Sequence, residues 1–257
     1  MQSLIISQQN VSSYAFSNIE AVQLPISSIV ISLHGWYETN MRTSLTDFEI
    51  ELAENHILSI YPYYSEWSWM NFPTIHLIDE ITDFFFEQYK LAPDTPVAVL
   101  GKSMGGLSAL IYTLYSKRTP IACAANCPIC DLPFHVTERE DLPRTMYSAF
   151  GHYNIPLEIA MELHSPMHQI ERMPHIPYYI VHGGADKTVL KEFHSDPYVK
   201  RMKQFNHVIE YHEIEGMKHC DFRPYPEEEL LYHNFILSHV LQHSPQPGAS
   251  SPAGEHN

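Results

Sequence analysis

The stretch Pro96-Val-Ala-Val-Leu-Gly-Lys-Ser-Met-Gly-Gly-Leu-Ser-Ala-Leu-Ile-Tyr-Thr-Leu114 decides how this chain folds. Its first five residues are apolar and β-prone, and they read as a buried strand. Residues 104–114 read as a helix with glycines gathered at its start. Between them, Gly101-Lys-Ser-Met-Gly105 spells Gly-x-Ser-x-Gly. At average glycine and serine usage that pattern arises by chance in roughly one chain in ten of this length, so its context carries the weight. A serine at a tight strand-to-helix turn sits in strained backbone, and flanking residues without a Cβ let strand and helix approach. The Ser103 hydroxyl then projects above the sheet beside the positive end of a helix.

Outward from this turn, apolar runs alternate with helix-length segments from about Ser27 onward, the pattern of a parallel sheet with crossover helices and thus of an α/β fold. Strands are expected at Ser28 to Leu33, His56 to Tyr63, Pro96 to Leu100, Ile121 to Ala125, Pro177 to Val181 and Val208 to Ile214. Helices are expected at Ser44 to Glu54, Ile75 to Tyr89, Met104 to Ser116, His194 to Gln204 and Glu227 to Leu241. Residues 1–24 offer two antiparallel edge strands. Asp131 to Met173 is a proline-bearing insertion long enough for a small cap. The single domain is expected to span 1–241, and residues 242–257, rich in Pro, Ser and Gly, read as a disordered tail.

A serine hydroxyl attacks poorly until a base takes its proton. Of 17 histidines, His219 has the right address, in the loop directly after the last strand, whereas His212 lies inside that strand and His207 at its other end. Asp186, in His182-Gly-Gly-Ala-Asp186, turns off the preceding strand at the same rim and is the candidate to fix the histidine tautomer. Asp131, just past another strand end, is a rival acid. For a developing oxyanion, the amides of Met104 and Trp36 are the expected donors, Trp36 following Leu33-His-Gly35 after the first parallel strand. Tyr37, Trp67 and Trp69 are candidates to line a substrate pocket.

Other readings are weighed on the same residues. Cys123, Cys127 and Cys130 have the spacing of a radical-enzyme iron-sulfur site, but Cys123 lies in an apolar strand and no repeated barrel surrounds it. His164 and His168 have zinc-like spacing, which Pro166 between them opposes on a helix. No metal and no cofactor is therefore expected. The charge of −15, from 30 acidic against 15 basic residues, excludes nucleic acid and anionic membranes as natural partners. No targeting segment or membrane span is read in the chain, and the four cysteines do not form a spread framework, so reduced thiols and a cytoplasmic location are expected.

Taken together, Leu-His-Gly-Trp, Gly-Lys-Ser-Met-Gly-Gly, His-Gly-Gly-Ala-Asp and Gly-Met-Lys-His, in the order Ser103, Asp186, His219, resemble the α/β-hydrolase superfamily over about residues 27–241. His164-Ser-Pro-Met167 resembles its carboxylesterase and prolyl-oligopeptidase-like branch. The resemblance implies the α/β-hydrolase fold, a mostly parallel sheet with helices on both faces. It also implies a cofactor-free serine esterase that acts through an acyl-enzyme on a small-molecule ester. The aromatic loop with Trp67 and Trp69 hints at a ring-bearing or sugar-linked ester, acetyl or hydroxycinnamoyl esters of carbohydrates among them. There is no His-Gly-Gly-Gly run, and 257 residues leave no room for the oligopeptidase propeller, so a peptidase or amidase ranks second. A non-catalytic binding protein, a peroxidase or lyase on the same three residues, and a homo-oligomer stay open.

Overall fold

Seven strands form one sheet in the computed structural model, which describes residues 6–244. They are β1 (Ala15–Ser17), β2 (Ser28–Leu33), β3 (Ile57–Pro62), β4 (Val97–Lys102), β5 (Cys123–Asn126), β6 (Tyr178–Gly183) and β7 (Ile209–Ile214). Their spatial order is β1-β3-β2-β4-β5-β6-β7, with β1 antiparallel to β3 and every other pair parallel. The six parallel strands lie where the apolar runs put them. Among the described residues the N-terminal segment supplies one edge strand and a 3-10 turn at Val11–Ser13, not two strands. Residues 1–5 and 245–257 lie outside the described residues, and with them most of the expected tail.

Alternate residues of each strand face opposite layers, as a pleated strand requires. Ile29, Ile31, Val99, Ala125 and Ile180 face α2 (Phe72–Gln88), α3 (Met104–Tyr115) and α8 (Ser195–Gln204). Val30, Leu100, Ala124 and Val181 face α1 (Asp47–Glu54) and α9 (Pro226–His243). Two capping side chains set helix starts. Thr46 accepts from the Glu49 amide in a capping box, so α1 begins at Asp47 rather than Ser44. Asn71 accepts from the Thr74 amide, so α2 begins three residues before Ile75. Helix α9 runs to His243, two residues into the segment read as tail.

The 131–173 insertion is built of short helices joined by turns: α4 (Leu132–His135), α5 (Leu142–Phe150), α6 (Leu157–Leu163) and α7 (Pro166–Gln169), with 3-10 turns at Gly151–Tyr153 and Ile170–Arg172. Leu142, Met146 and Phe150 of α5 join the core on the α2 and α3 side. The strand order reverses between β2 and β4, because the chain adds β3 on one side of β2 and everything later on the other. Ligand sites of open parallel sheets form at such a reversal, beyond the carboxyl ends of the strands. Residues 34–37 after β2 and Ser103 after β4 flank that crevice.

Candidate active site

Ser103 caps β4 at φ 56°, ψ −124°, a conformation rare for a residue with a side chain. Two close approaches impose it. A Cβ on Gly101 would stand 2.1 Å from the Gly105 carbonyl oxygen, and one on Gly105 would stand 2.1 Å from the Leu33 carbonyl oxygen. The second contact shows that the start of α3 presses directly on the end of β2. The Ser103 amide donates to the Asn126 carbonyl at 2.9 Å, pinning the turn to β5. From the other face, the Tyr232 hydroxyl accepts from the Gly101 amide at 3.2 Å and lies 2.9 Å from its carbonyl oxygen.

The three residues singled out from distant segments meet at this turn. His219 Nε2 lies 2.9 Å from Ser103 Oγ, and His219 Nδ1 lies 2.7 Å from Asp186 Oδ2. With Nδ1–H donating to the carboxylate, Nε2 carries the lone pair that faces the serine hydroxyl. The other Asp186 oxygen accepts from the Thr188 and Val189 amides at 2.8 and 3.0 Å. Burial alone would raise the Asp186 pKa, yet hydrogen bonds from His182 and His219 and from the Val189 amide hold it well below the carboxylate range. Burial alone would lower the His219 pKa, whereas the Asp186 carboxylate and the Cys127 sulfur raise it to about 9. The arrangement can take a proton from Ser103 and stabilise the resulting imidazolium. Asp131, the rival acid, instead accepts from the Phe134 amide at 3.0 Å and caps α4.

His34 lies buried and stacked on Tyr64 at 3.7 Å, and the Tyr64 hydroxyl donates to its carbonyl at 2.9 Å. This fixes the 34–37 loop, where the Cβ position of Gly35 lies 3.7 Å from Ser103 Cβ. The segments carrying the Trp36 and Met104 amides are therefore in contact. Trp36 stacks on Tyr37 at 4.7 Å, with the Arg139 guanidinium over its ring, and Trp67 meets Tyr37 edge-on at 6.3 Å. Tyr37 is 59% exposed, and with Trp67 it forms an aromatic wall beside Trp36. Trp69 does not belong to that wall. It is fully buried, and its Nε1–H donates to Thr145 Oγ1 at 3.0 Å because α5 covers the loop after β3.

Several residues at the site carry no sequence signal. Lys102 pairs with Glu38 at 3.0 Å, and Glu38 accepts from the Tyr61 hydroxyl at 2.7 Å and from the Gly35 amide at 3.3 Å, tying elbow to loop. His182 is fully buried, with Nε2 3.3 Å from Asp186 and 2.9 Å from the Val189 carbonyl. Cys220 Sγ lies 3.8 Å from His219 Nε2, and the Cys220 amide donates to Cys127 Sγ at 3.4 Å. Of the other cysteines, Cys123 and Cys130 are buried. His164 turns into a cage with Phe150 and Tyr153, while His168 bonds Ser165, so the two do not converge.

No protein-family model and no curated protein matches the chain. Solved structures do. The acylaminoacyl peptidase of Pyrococcus horikoshii superposes with a TM-score of 0.69 at 12% identity, over 91% of this chain and 39% of that one. A puromycin-hydrolyzing peptidase of Mycobacterium tuberculosis superposes at 0.65 and 18% identity, over 84% of this chain and 35% of that one. The chain has the α/β-hydrolase fold. It thus spans less than two fifths of either peptidase. Esterase B of Lactobacillus rhamnosis is covered more fully, at 78% of its length and 86% of this chain, with a TM-score of 0.66 and 13% identity. Within the α/β-hydrolase fold, Ser103 after β4 lies at the reversal of strand order, with Asp186 and His219 beyond β6 and β7.

Proposed function

We propose that the protein is a serine hydrolase that cleaves carboxylic esters through an acyl-enzyme. The observation that carries this is the unbroken hydrogen-bonded line from Ser103 through His219 to Asp186. Ser103 Oγ attacks the ester carbonyl carbon while His219 Nε2 takes its proton, and negative charge forms on the carbonyl oxygen beside the Trp36 and Met104 amides. As the tetrahedral adduct collapses, His219 returns the proton to the leaving alcohol. Water, deprotonated by His219, then attacks the acyl carbon, and His219 returns that proton to Ser103 Oγ as its bond to the acyl carbon breaks and the acid leaves.

The aromatic wall of Tyr37 and Trp67 favours a ring-bearing acyl group or a sugar-linked ester, so acetyl and hydroxycinnamoyl esters of carbohydrates are the first substrates to try. Peptidase or amidase activity is the second reading, supported by the likeness to an acylaminoacyl peptidase and a puromycin-hydrolyzing peptidase. No helix among the described residues is long and apolar enough to cross a membrane. The acidic charge favours a small-molecule partner over a nucleic acid or an anionic bilayer, and a cytoplasmic location belongs to the same proposal.

A fluorophosphonate probe should label the protein at Ser103, and Ser103→Ala should abolish labelling and reduce ester turnover by roughly 10⁴-fold or more. Undiminished turnover in that variant overturns the assignment. A parallel panel of esters and acyl-amino amides, compared by kcat/KM, ranks the two readings.

A further inference from the structure

We infer that Cys127, Cys220 and His219 form a binding site for a soft divalent cation of the zinc class, whose occupancy reversibly silences Ser103. Cys127 follows β5 and Cys220 follows β7, 93 residues apart, so no sequence spacing announces the site. One donor atom from each of the three lies within 4.8 Å of the others, and Cys220 Sγ is 3.8 Å from His219 Nε2. Zinc bonds of about 2.3 Å to sulfur and 2.0–2.1 Å to nitrogen put neighbouring donors of a tetrahedral site roughly 3.5–3.8 Å apart. A contraction of at most about an ångström closes the cluster to that geometry.

Two further observations point the same way. A histidine that ligates a metal through one nitrogen usually donates the other to a carboxylate, and His219 Nδ1 already does so to Asp186 at 2.7 Å. Both cysteines also occupy left-handed backbone, Cys127 at φ 45° and Cys220 at φ 52°, which is uncommon outside glycine and is retained where surrounding structure holds a side chain in place. A groove lined by Thr188, Lys218, His219 and Cys220 opens two of the three ligands to solvent, with Cys127 buried beneath them. Binding releases the Cys220 thiol proton, now aimed at the Asn126 carbonyl at 3.5 Å, and the proton that Cys127 and His219 share.

The other two donor clusters do not share this disposition. His194 Nδ1 accepts from the Cys130 and Asp131 amides, so its Nε2 carries the proton toward Glu138 and has no lone pair for a metal. His182 engages Ser195 through one nitrogen and the Val189 carbonyl through the other. In contrast, His219 Nε2 offers its lone pair to the cluster, and this is the lone pair that receives the Ser103 proton. Inhibition therefore rests on the proposed hydrolase, whereas metal binding does not.

The test is a cobalt(II) titration of the full chain, kept reduced by a non-chelating phosphine. One equivalent should produce a thiolate charge-transfer band and the visible bands of tetrahedral cobalt, and zinc should displace them. Ser103→Ala should give the same spectrum. Cys127→Ser/Cys220→Ser should lose the thiolate band, and the single Cys220→Ser, on the more exposed loop, should weaken zinc binding by more than the roughly 10–100-fold that loss of an outer-shell partner costs. Zinc should stop ester turnover with the midpoint of its own occupancy, and a chelator should restore it. Absence of a thiolate band at one equivalent, or its survival in the double variant, overturns the site. Failure of the hydrolase reading would leave the cobalt spectrum intact, and failure of the metal reading would leave turnover intact.

Discussion

His219 is acted on from both ends of its ring, by Asp186 at Nδ1 and by Ser103 and the Cys220 sulfur at Nε2, with the Cys127 sulfur also favouring its charged form. The proposed base works only when neutral, so a pKa raised to about 9 means that more alkaline solution is needed to free it. We expect kcat/KM to rise with pH through an apparent midpoint above the ordinary histidine value of about 6.5. Cys127→Ser should move that midpoint down, because it removes one of the groups that favours the charged ring. A profile that levels off below pH 6 excludes His219 as the base. Ser103, Asp186 and His219 were legible because each stands in a loop directly after an apolar run. Glu38, Lys102, His182, Cys127 and Cys220 were not, since their roles come from contacts between segments that no local pattern links. Trp69 was misread because aromatic content alone does not tell a pocket wall from a residue covered by a neighbouring helix.

Elements meet at this site with no slack between β2 and α3. Gly105→Ala forces a methyl carbon onto the Leu33 carbonyl oxygen at 2.1 Å, and backbone rather than a flexible side chain must yield. That shift separates the Met104 amide from the 34–37 loop, so the variant should lose activity by a larger factor than it loses soluble yield. Wild-type turnover in it would show that the two segments need not touch. Glu138 joins α4 to the start of α8, with its carboxylate 2.5 Å from His135 Nδ1 and 3.0 Å from His194 Nε2. Removing the acceptor strands two buried imidazole donors, so Glu138→Ala should destabilise by about 1–3 kcal/mol in denaturant melts. A change within ±0.5 kcal/mol would show that the insertion is held by packing alone. The central strands were readable because strands buried on both faces are short continuous apolar runs. The insertion helices were not, because four to nine residues with a proline at the start leave too little periodicity to count.

Across the whole molecule, protonation acts on the fold in two opposite directions as pH falls. The net charge of −15 means that mild acid relieves self-repulsion, which favours the compact state. Against this stand histidines held neutral by burial: His164 and His233 are both lowered to about 4, and His34, His135 and His207 are lowered as well. A depressed pKa gives stability that is complete above the unfolded value of about 6.5 and is lost as pH falls through the folded one. Glu138, lowered to about 2, adds a second window below its ordinary 4.5. Five depressed histidines, each tied to a specific packed site, should outweigh a diffuse repulsion that salt screens. Tm is therefore expected to fall between pH 6.5 and 4, beginning above the range in which ordinary carboxylates protonate. His233 provides the decisive variant, since its ring stacks on Phe48 at 4.1 Å with an interplanar angle of 5° and apolar replacement keeps that contact. His233→Phe should leave Tm near neutral pH almost unchanged and flatten the slope between pH 6.5 and 4, as followed by circular dichroism at fixed ionic strength. An identical slope in the two proteins would assign the acid loss to other groups.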